Sequence, residues 1–473
     1  MLWTCLHFPD LPLAVFRRGE TRAAPAMVPS ASHRPDVVAA SDAARKRGIL
    51  PGLSLAAALA LDPDLAIHLR DERAESHALR SIALWSGQWT STIAIEPPAC
   101  VLLEIASGLN YFGGLAKLLD RIDAGLAEIG YPGIVATAPT AGAASLFARA
   151  GQAIAVSEIA DCERRLATMP IALLDGARTA LDTLSGLGVR TFGQFLALPR
   201  DGAARRFGQA LFDEIDRARG VLPDPRPPFI PPERYHGQLE LPAPVDEVGA
   251  LLFGVKRLVA ELAGFLHGRG WGVTRLRCDL LHEDAPPTSI ALGLAATRQV
   301  EHIMDVLRER LAREALPDRV EAIRLASEET APLSAKENDF FPARSRGSEA
   351  GVQLIECLRA RLGEDAVRAL TLNADHRPES AGGQTTAIGA VNEASGRRFP
   401  VRPLWLLREP YALAAGPVGA ALQLESGPER IESGWWDGND VGRDYFVGRS
   451  AGGEALWLFR ERGGAWFVHG VFA

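Results

Sequence analysis

A multidomain α+β protein is what this sequence predicts, and three observations predict it. Short apolar strands alternate with amphipathic helices over the first third of the chain. The segment from Tyr235 to Ala326 reads β-α-β-β-α-β, and the last forty or so residues read as antiparallel strands crowded with aromatic rings. A length of 473 residues is enough for about three domains. The net charge of −7 gives no global attraction for nucleic acid, so any DNA contact has to be local or assisted. Arginine greatly outnumbers lysine throughout, which lowers the value of any single arginine as a functional sign. The five cysteines (Cys5, Cys100, Cys162, Cys278, Cys357) are scattered without a Cys-x-x-Cys pair, which argues against a zinc site or disulfide framework and fits a reducing cytosol. The start MLWTCLHFPD lacks a basic region, and His7, Pro9 and Asp10 interrupt its apolar run, so no signal peptide is expected. The most apolar helical stretch, Leu53 to Leu61, falls far short of the roughly 20 residues a membrane span needs. A soluble, cytoplasmic protein without membrane contact is expected.

In chain order, Leu2 to Phe8 reads as a buried strand that stops at the Pro9–Pro12 turn, with Asp10 between the prolines as a turn residue. In Val37–Leu69, Gly48 suits a helix C-terminus, and Leu53 to Leu61 is a helix in need of a core. Ala74 to Thr90 has a helical pattern with Trp85 and Trp89 one turn apart, buried against the following strands. Those strands lie in Ile93–Gly114, IAIEPPACVLLEIASGLNYFGG; Leu115 to Ile129 is an amphipathic helix and Gly133 to Ala138 another strand. Leu173 to Gly220 reads as helical, with Gly188 between Leu187 and Val189. Helices meeting at a glycine turn can offer backbone N–H groups to phosphate, with Arg190, Arg205 and Arg206 assisting. A small bundle with a solvated arginine face accounts for the same residues without DNA. The proline-dense Val221–Arg234 is an extended, semi-rigid linker. In the β-α-β-β-α-β segment, Arg275 and Arg277 alternate onto one strand face, suited to a DNA backbone, and Asp279 continues that face. Beyond it, Leu354 to Leu362 reads as helix, Asp375 to Arg398 as polar, glycine-rich and loose, and the end as a three-stranded meander turning at Ala451–Gly453 and Gly463–Gly464. Of the aromatics Trp435, Trp436, Tyr445, Phe446, Trp457, Phe459, Trp466, Phe467 and Phe472, most are expected in the core and a few as an exposed anchor.

The Ile93–Gly114 stretch resembles the central palm strands of a Y-family (translesion) DNA polymerase, where a strand runs into Ser-Ile-Asp-Glu-x-Tyr-Leu-Asp. Without a gap, the family's Leu-Asp falls on Leu103 and Glu104, and its metal-holding Asp-Glu pair falls on Ala99 and Cys100. The family's first-strand Asp-Phe-Asp falls on His7, Phe8 and Pro9, and Pro12 stands where an aromatic excludes ribonucleotides. Magnesium takes oxygen ligands, so His7, Pro9, Ala99 and Cys100 would not replace those carboxylates, and Glu104 is the one matching acid that survives. Val37–Leu69 resembles the fingers: Gly48 and Gly52 match the glycines, Arg45 the triphosphate-touching arginine, and Asp42 replaces a tyrosine. The lysine that grips the triphosphate has no secure counterpart; Arg149 is the nearest cation. Leu173–Gly220 resembles the helix-hairpin-helix thumb, and the β-α-β-β-α-β order resembles the little finger. Glu337-Asn338-Asp339-Phe340-Phe341 resembles the clamp-binding pentapeptide Gln-Leu-Asp-Leu-Phe, placing two apolar anchors where a hydrophobic groove could take them.

With LHFPDLPLA at the start and RIESGWWDG, RDYF, WLFRE and WFVHGVFA at the end, the whole chain resembles the ImuB family, Y-family-like proteins of bacterial damage-inducible mutagenesis cassettes. The resemblance implies palm at 1–16 and 80–165, fingers at 17–79, thumb at 166–220, a linker at 221–234 and little finger at 235–330. A second linker with the clamp motif would span 331–350, and a partner-binding extension 351–473. It implies a polymerase fold without catalysis, without a cofactor or metal, that contacts DNA, the sliding clamp (β subunit), an ImuA-type RecA-like protein and an error-prone C-family DNA polymerase in SOS-induced translesion synthesis. The rival reading is a residual polymerase using Asp10, Glu96 and Glu104 as substitute ligands.

Overall fold

The structure is a computed structural model that describes residues 1–18, 26–333, 345–386, 401–414 and 416–472. It divides into two units, Met1–Arg361 and Leu362–Ala473. In the first, β1 (Trp3–His7) leads into α1 (Leu11–Arg17). A small lobe follows: β2 (Ala26–Pro29), β3 (Val37–Ala40), α2 (Asp42–Arg45), α3 (Leu55–Leu61) and β4 (Ala66–Ile67), its strands in the order β3-β2-β4. Next come α4 (Glu72–Ser86), β5 (Ile93–Glu96), β6 (Cys100–Glu104), α5 (Leu109–Phe112), α6 (Leu115–Glu128), β7 (Ile134–Ala138) and α7 (Ala141–Arg149).

The first sheet has the order β5-β6-β1-β7, antiparallel throughout, so the N-terminal strand lies inside it. Side chains alternate across the pleat. Leu6, Phe8, Val101 and Leu103 pack with Ile82 of α4 and Leu118 and Ile122 of α6. Cys5, Cys100, Leu102 and Ala136 pack with Phe147 of α7 and the helical bundle beyond it. Both faces are buried, and the strands accordingly read as near-continuous apolar runs.

The bundle is α8 (Ile159–Ala167), α9 (Leu181–Gly186), α10 (Phe192–Leu196), α11 (Arg200–Phe207) and α12 (Gln209–Arg219). A βαββαβ unit follows: β8 (His236–Val245), α13 (Val248–Arg269), β9 (Trp271–His282), β10 (Thr288–Thr297), α14 (Val300–Leu311) and β11 (Val320–Pro332), with sheet order β10-β9-β11-β8. The element order predicted for Tyr235–Ala326 is the observed one. α15 (Ser345–Leu362) begins earlier than its apolar spacing suggests and packs on this unit through Ala360 and the Glu356–His302 pair.

α13 lies against α4 because glycine lets the backbones meet. A Cβ on Gly264 would stand 2.6 Å from Trp85 Cδ1, and one on Gly268 2.7 Å from the Gly87 backbone. Trp85 is buried, as expected, whereas Trp89 lies past the helix end and is only half-buried. A buried charge cluster secures the same seam. Arg18 donates from Nε to Ile129 O (2.8 Å) and from Nη2 to Glu261 of α13, while Tyr235 Oη donates to the other Glu261 oxygen at 2.9 Å. Glu261 is fully buried and Arg18 nearly so.

The second unit contains β12 (Ala369–Leu372), α16 (Pro378–Ala381) and β13 (Gly382–Thr385), then β14 (Trp405–Ala412), α17 (Gly416–Gly419), β15 (Gln423–Ser433), β16 (Val441–Arg449), β17 (Ala455–Glu461) and β18 (Trp466–Val471). Its main sheet is five-stranded, in the order β14-β18-β17-β16-β15, rather than a three-stranded meander. The meander β16–β17–β18 is present with turns where expected. The two extra strands escaped notice because each contains a proline (Pro410, Pro428) and β15 is mostly exposed and polar. Tyr445, Trp457 and Phe459 fill one side, Tyr445 stacking on Trp457 at 4.1 Å. Trp435 and Trp436 are exposed. Asp375 to Thr385, expected to be loose, is ordered by Arg377, which bridges Asp375 (2.7 Å) and Asp437 (2.6 Å). Residues 387–398 of that stretch lie outside the described residues.

Removing one partner of a buried ion pair leaves the other charged and alone. Glu261→Ala should therefore lower unfolding free energy by roughly 3–5 kcal/mol in urea denaturation. An unchanged midpoint would show that Arg18 does not depend on it.

Candidate functional site

The antiparallel register sets His7 of β1 opposite Cys100 of β6, and Cys100 opposite Glu96 of β5. Glu96, Cys100 and His7 thus form one row across the end of the first sheet, on the face toward α7. His7 Nδ1 stands 3.3 Å from Cys100 Sγ. One residue further out, Phe8 N donates to Ala99 O at 2.8 Å, and Pro9 opens the turn into α1. The positions singled out in the sequence, His7, Pro9, Ala99 and Cys100, therefore gather at one end of the sheet. His7, Ala99 and Cys100, though not Pro9, border a cleft of about 1070 Å³, whose lining includes Arg149 at the end of α7 and Arg226 of the proline-rich segment.

The acids around this end are engaged. Glu96 accepts from Ser145 Oγ of α7 on one oxygen and from Arg226 on the other; Arg226 also donates to Asp224 at 2.7 Å. Asp10 pairs with Arg45, and burial holds its carboxyl above the usual range despite that arginine. Glu104, the surviving acid, sits at the opposite end of β6, four residues or about 13 Å along the strand from Cys100. There it accepts from Leu2 N (3.2 Å) and Ala106 N (3.3 Å). An imidazole, a thiol, a proline and an alanine do not fit a hard divalent cation, which needs several oxygen donors. Among the described residues, no three His, Cys, Asp or Glu side chains gather in a metal-holding arrangement.

What the row can support is thiol chemistry. A hydrogen bond from the Cys5 thiol, aided by His7, brings the Cys100 thiol down to about 6, against burial and the Glu96 charge. Cys5 itself is pushed up by burial. Sequence reading missed Arg226 and Ser145. Nothing local in PDPRPP couples position 226 to position 96; the link arises because the segment runs along β5, where Phe229 N donates to Ile93 O at 2.7 Å.

In the helical bundle, Gly188 has a left-handed φ of 77°, which its place between α9 and α10 requires and which glycine meets without strain. Arg190, Arg205 and Arg206 are exposed. On β9, Arg275 and Arg277 share a face as alternation predicts, but that face is neutralised. Arg275 pairs with Glu329 at 3.3 Å, and Arg277 with Asp279 and Glu328, each at 3.3 Å. Arg149, whose simplest reading was an exposed helix end, is half-buried and pairs with Asp175 at 3.3 Å. Glu337, Asn338, Asp339, Phe340 and Phe341 lie outside the described residues.

A sheet with its N-terminal strand inside, a helical bundle turning at glycine and a βαββαβ unit, in this chain order, define a Y-family polymerase-like α+β fold, extended by an antiparallel C-terminal sheet. More particularly, the chain is similar to Protein ImuB of Caulobacter vibrioides strain NA1000 / CB15N, with 27% identity over 461 residues, 90% of this chain and 100% of the relative. Protein ImuB of strain ATCC 19089 / CIP 103742 / CB 15 matches equally. The resemblance to the ImuB family read from the sequence is thereby borne out. No family model matches the chain. Similar solved structures include DinB from Sulfolobus solfataricus (16% identity, 69% of this chain and 98% of that one, TM-score 0.40). Dbh DNA polymerase in an insertion ternary complex is another (17% identity, 70% and 100%, TM-score 0.42). No described helix is long and apolar enough to cross a membrane.

The lowered thiol gives a direct pH test. Because the thiolate forms as pH rises through about 6, alkylation of Cys100 by iodoacetamide should level off near pH 7, while an ordinary thiol (about 8.5) keeps accelerating above that. His7→Ala removes a group that favours the thiolate, so the midpoint should move up. Peptide mass spectrometry across pH 5 to 10 reads both, and a wild-type midpoint near 8.5 would show that Cys5 and His7 do not favour the thiolate.

Proposed function

We propose that this chain is a non-catalytic, Y-family polymerase-like adaptor in SOS-induced translesion DNA synthesis and mutagenesis. The observation that carries the reading is the His7–Cys100 pair. Where the polymerase pattern carries carboxylates, β1 and β6 bring together an imidazole and a thiol, and the nearest carboxylate, Glu96, is held by Arg226. Polymerase phosphoryl transfer needs two metals to orient and neutralise the reacting oxygens. Residues that cannot hold them should abolish the step rather than slow it.

In this reading the fold serves as a scaffold with the domain limits given above. The thumb turn at Gly188, with Arg190, Arg205 and Arg206, supplies the DNA contact. Arg275 and Arg277 contribute less, because Glu328, Glu329 and Asp279 offset their charge. Glu337–Phe341 docks on the sliding clamp, and the C-terminal extension serves an ImuA-type RecA-like protein and an error-prone C-family polymerase. Support for the themes of DNA damage and translesion synthesis comes from the likeness to Protein ImuB over the relative's full length.

Primer extension tests the reading. The purified chain should incorporate no nucleotide with magnesium or manganese, on damaged or undamaged templates. Incorporation that disappears when Asp10, Glu96 and Glu104 are all changed to alanine would establish a residual polymerase instead. Clamp docking is separable: Phe340→Ala with Phe341→Ala should reduce clamp affinity at least about a hundredfold in surface plasmon resonance, since paired apolar anchors carry such interfaces. Unchanged affinity would remove the motif from the proposal.

A further inference from the structure

A second cleft, of about 580 Å³, lies at the other end of the first sheet from His7 and Cys100. Its walls come from Gly87–Ser91, which follows α4, from Gly108–Phe112 around α5, and from His267, Gly268 and Arg298 of the βαββαβ unit, with Arg121 of α6. The register fixes its position. Ile93 pairs with Leu103 at this end of the β5–β6 hairpin, while Glu96 pairs with Cys100 at the other.

The lining has an unusual composition for a chain with a net charge of −7. It contains Arg121, Arg298 and His267 and no carboxylate. Neither arginine makes an ion pair among the described residues. His267 donates from Nδ1 to Ala263 O at 2.8 Å, which leaves Nε2 for another partner. Beside the two arginines stands a ladder of rings: Trp89 meets Phe112 edge to face at 5.2 Å, and Phe112 meets Tyr111 at 4.9 Å and 87°. Tyr111 is 86% exposed although its neighbour Phe112 is 8% exposed. The Trp89 indole N–H is buried and has no hydrogen-bond acceptor among the described residues.

An exposed ring braced edge-on by a buried one presents a flat π-face, and the cations beside it present charge to an anion. Proteins that hold single-stranded nucleic acid combine these two elements: stacking platforms for bases and arginines for the backbone. A duplex keeps its bases stacked on each other and offers no face to Tyr111. The volume lies within the range of small-ligand clefts, about 300–1,000 Å³. We propose that this cleft binds an unpaired nucleotide of single-stranded DNA, its base stacked on Tyr111 and its phosphate held by Arg121 and Arg298. The site is separate from the His7–Cys100 row and from the Gly188 turn, and does not depend on clamp or partner binding.

The test uses the full chain and a twelve-nucleotide oligo-dT carrying one 5-bromodeoxyuridine. Ultraviolet crosslinking followed by peptide mass spectrometry should place the adduct on the Trp89 or Tyr111 peptide. Tyr111→Ala should lose that adduct and weaken oligo-dT binding about tenfold in fluorescence anisotropy, the scale of one stacked base, while Tyr111→Phe keeps both. Arg121→Ala with Arg298→Ala should weaken binding and flatten its salt dependence. Duplex affinity should not respond to Tyr111→Ala. Adducts confined to other peptides, or Tyr111→Ala binding oligo-dT within twofold of wild type, would overturn the proposal. Displacement of oligo-dT by dTMP as effective as by unlabelled oligo-dT would overturn the assignment to a strand.

Discussion

Everything in the first unit depends on the pairing of β1 with both β6 and β7. That pairing puts the first residues of the chain inside a sheet covered on both faces, so each side chain from Trp3 to His7 has its neighbours chosen by register. A one-residue slip would exchange the two faces: Cys5 and His7 would turn toward α4 and α6, and Leu6 would turn toward α7. The apolar partners on each side make such a slip costly. The His7–Cys100 contact is therefore as firmly placed as the core itself, to which Cys100 belongs.

The same geometry leaves little negative charge in the row at this sheet end. A two-metal centre concentrates negative charge and offsets it with cations. Here Glu96 is the only carboxylate in the cross-strand row, and its countercharge is Arg226, carried by the chain's own linker. Arg226 also pairs with Asp224, so the strap brings its own balancing acid. The proline-rich segment is thus part of the sheet's architecture as well as a connection between bundle and βαββαβ unit.

Much of this was legible in the sequence where the signal is local. The βαββαβ order follows from periodicity, while the glycine turn at Gly188 and the strand containing Cys100 were read through the resemblance to Y-family polymerases. What stayed hidden is long-range. The Arg226–Glu96 pair spans 130 residues, and Arg18–Glu261 spans 243. No spacing rule links such positions. Besides Asp279 of β9 itself, the acids that neutralise Arg275 and Arg277 are Glu328 and Glu329 of β11, some fifty residues later, so the alternation was legible while most of its countercharge was not. The cleft at Tyr111 was invisible for the same reason: its arginines come from a helix and a loop 177 residues apart in sequence (298 minus 121).

The two prolines that concealed the outer strands of the second unit have a further consequence. Pro410 lies in β14 and Pro428 in β15, and these strands are the two edges of the five-stranded sheet. An incoming strand needs an unbroken row of N–H donors, and proline interrupts that row on each side. The sheet is therefore poorly suited to growth by strand addition, either to copies of itself or to an extended peptide. What the unit offers instead is side chains, and Trp405, Trp435 and Trp436 are the largest exposed among its described residues.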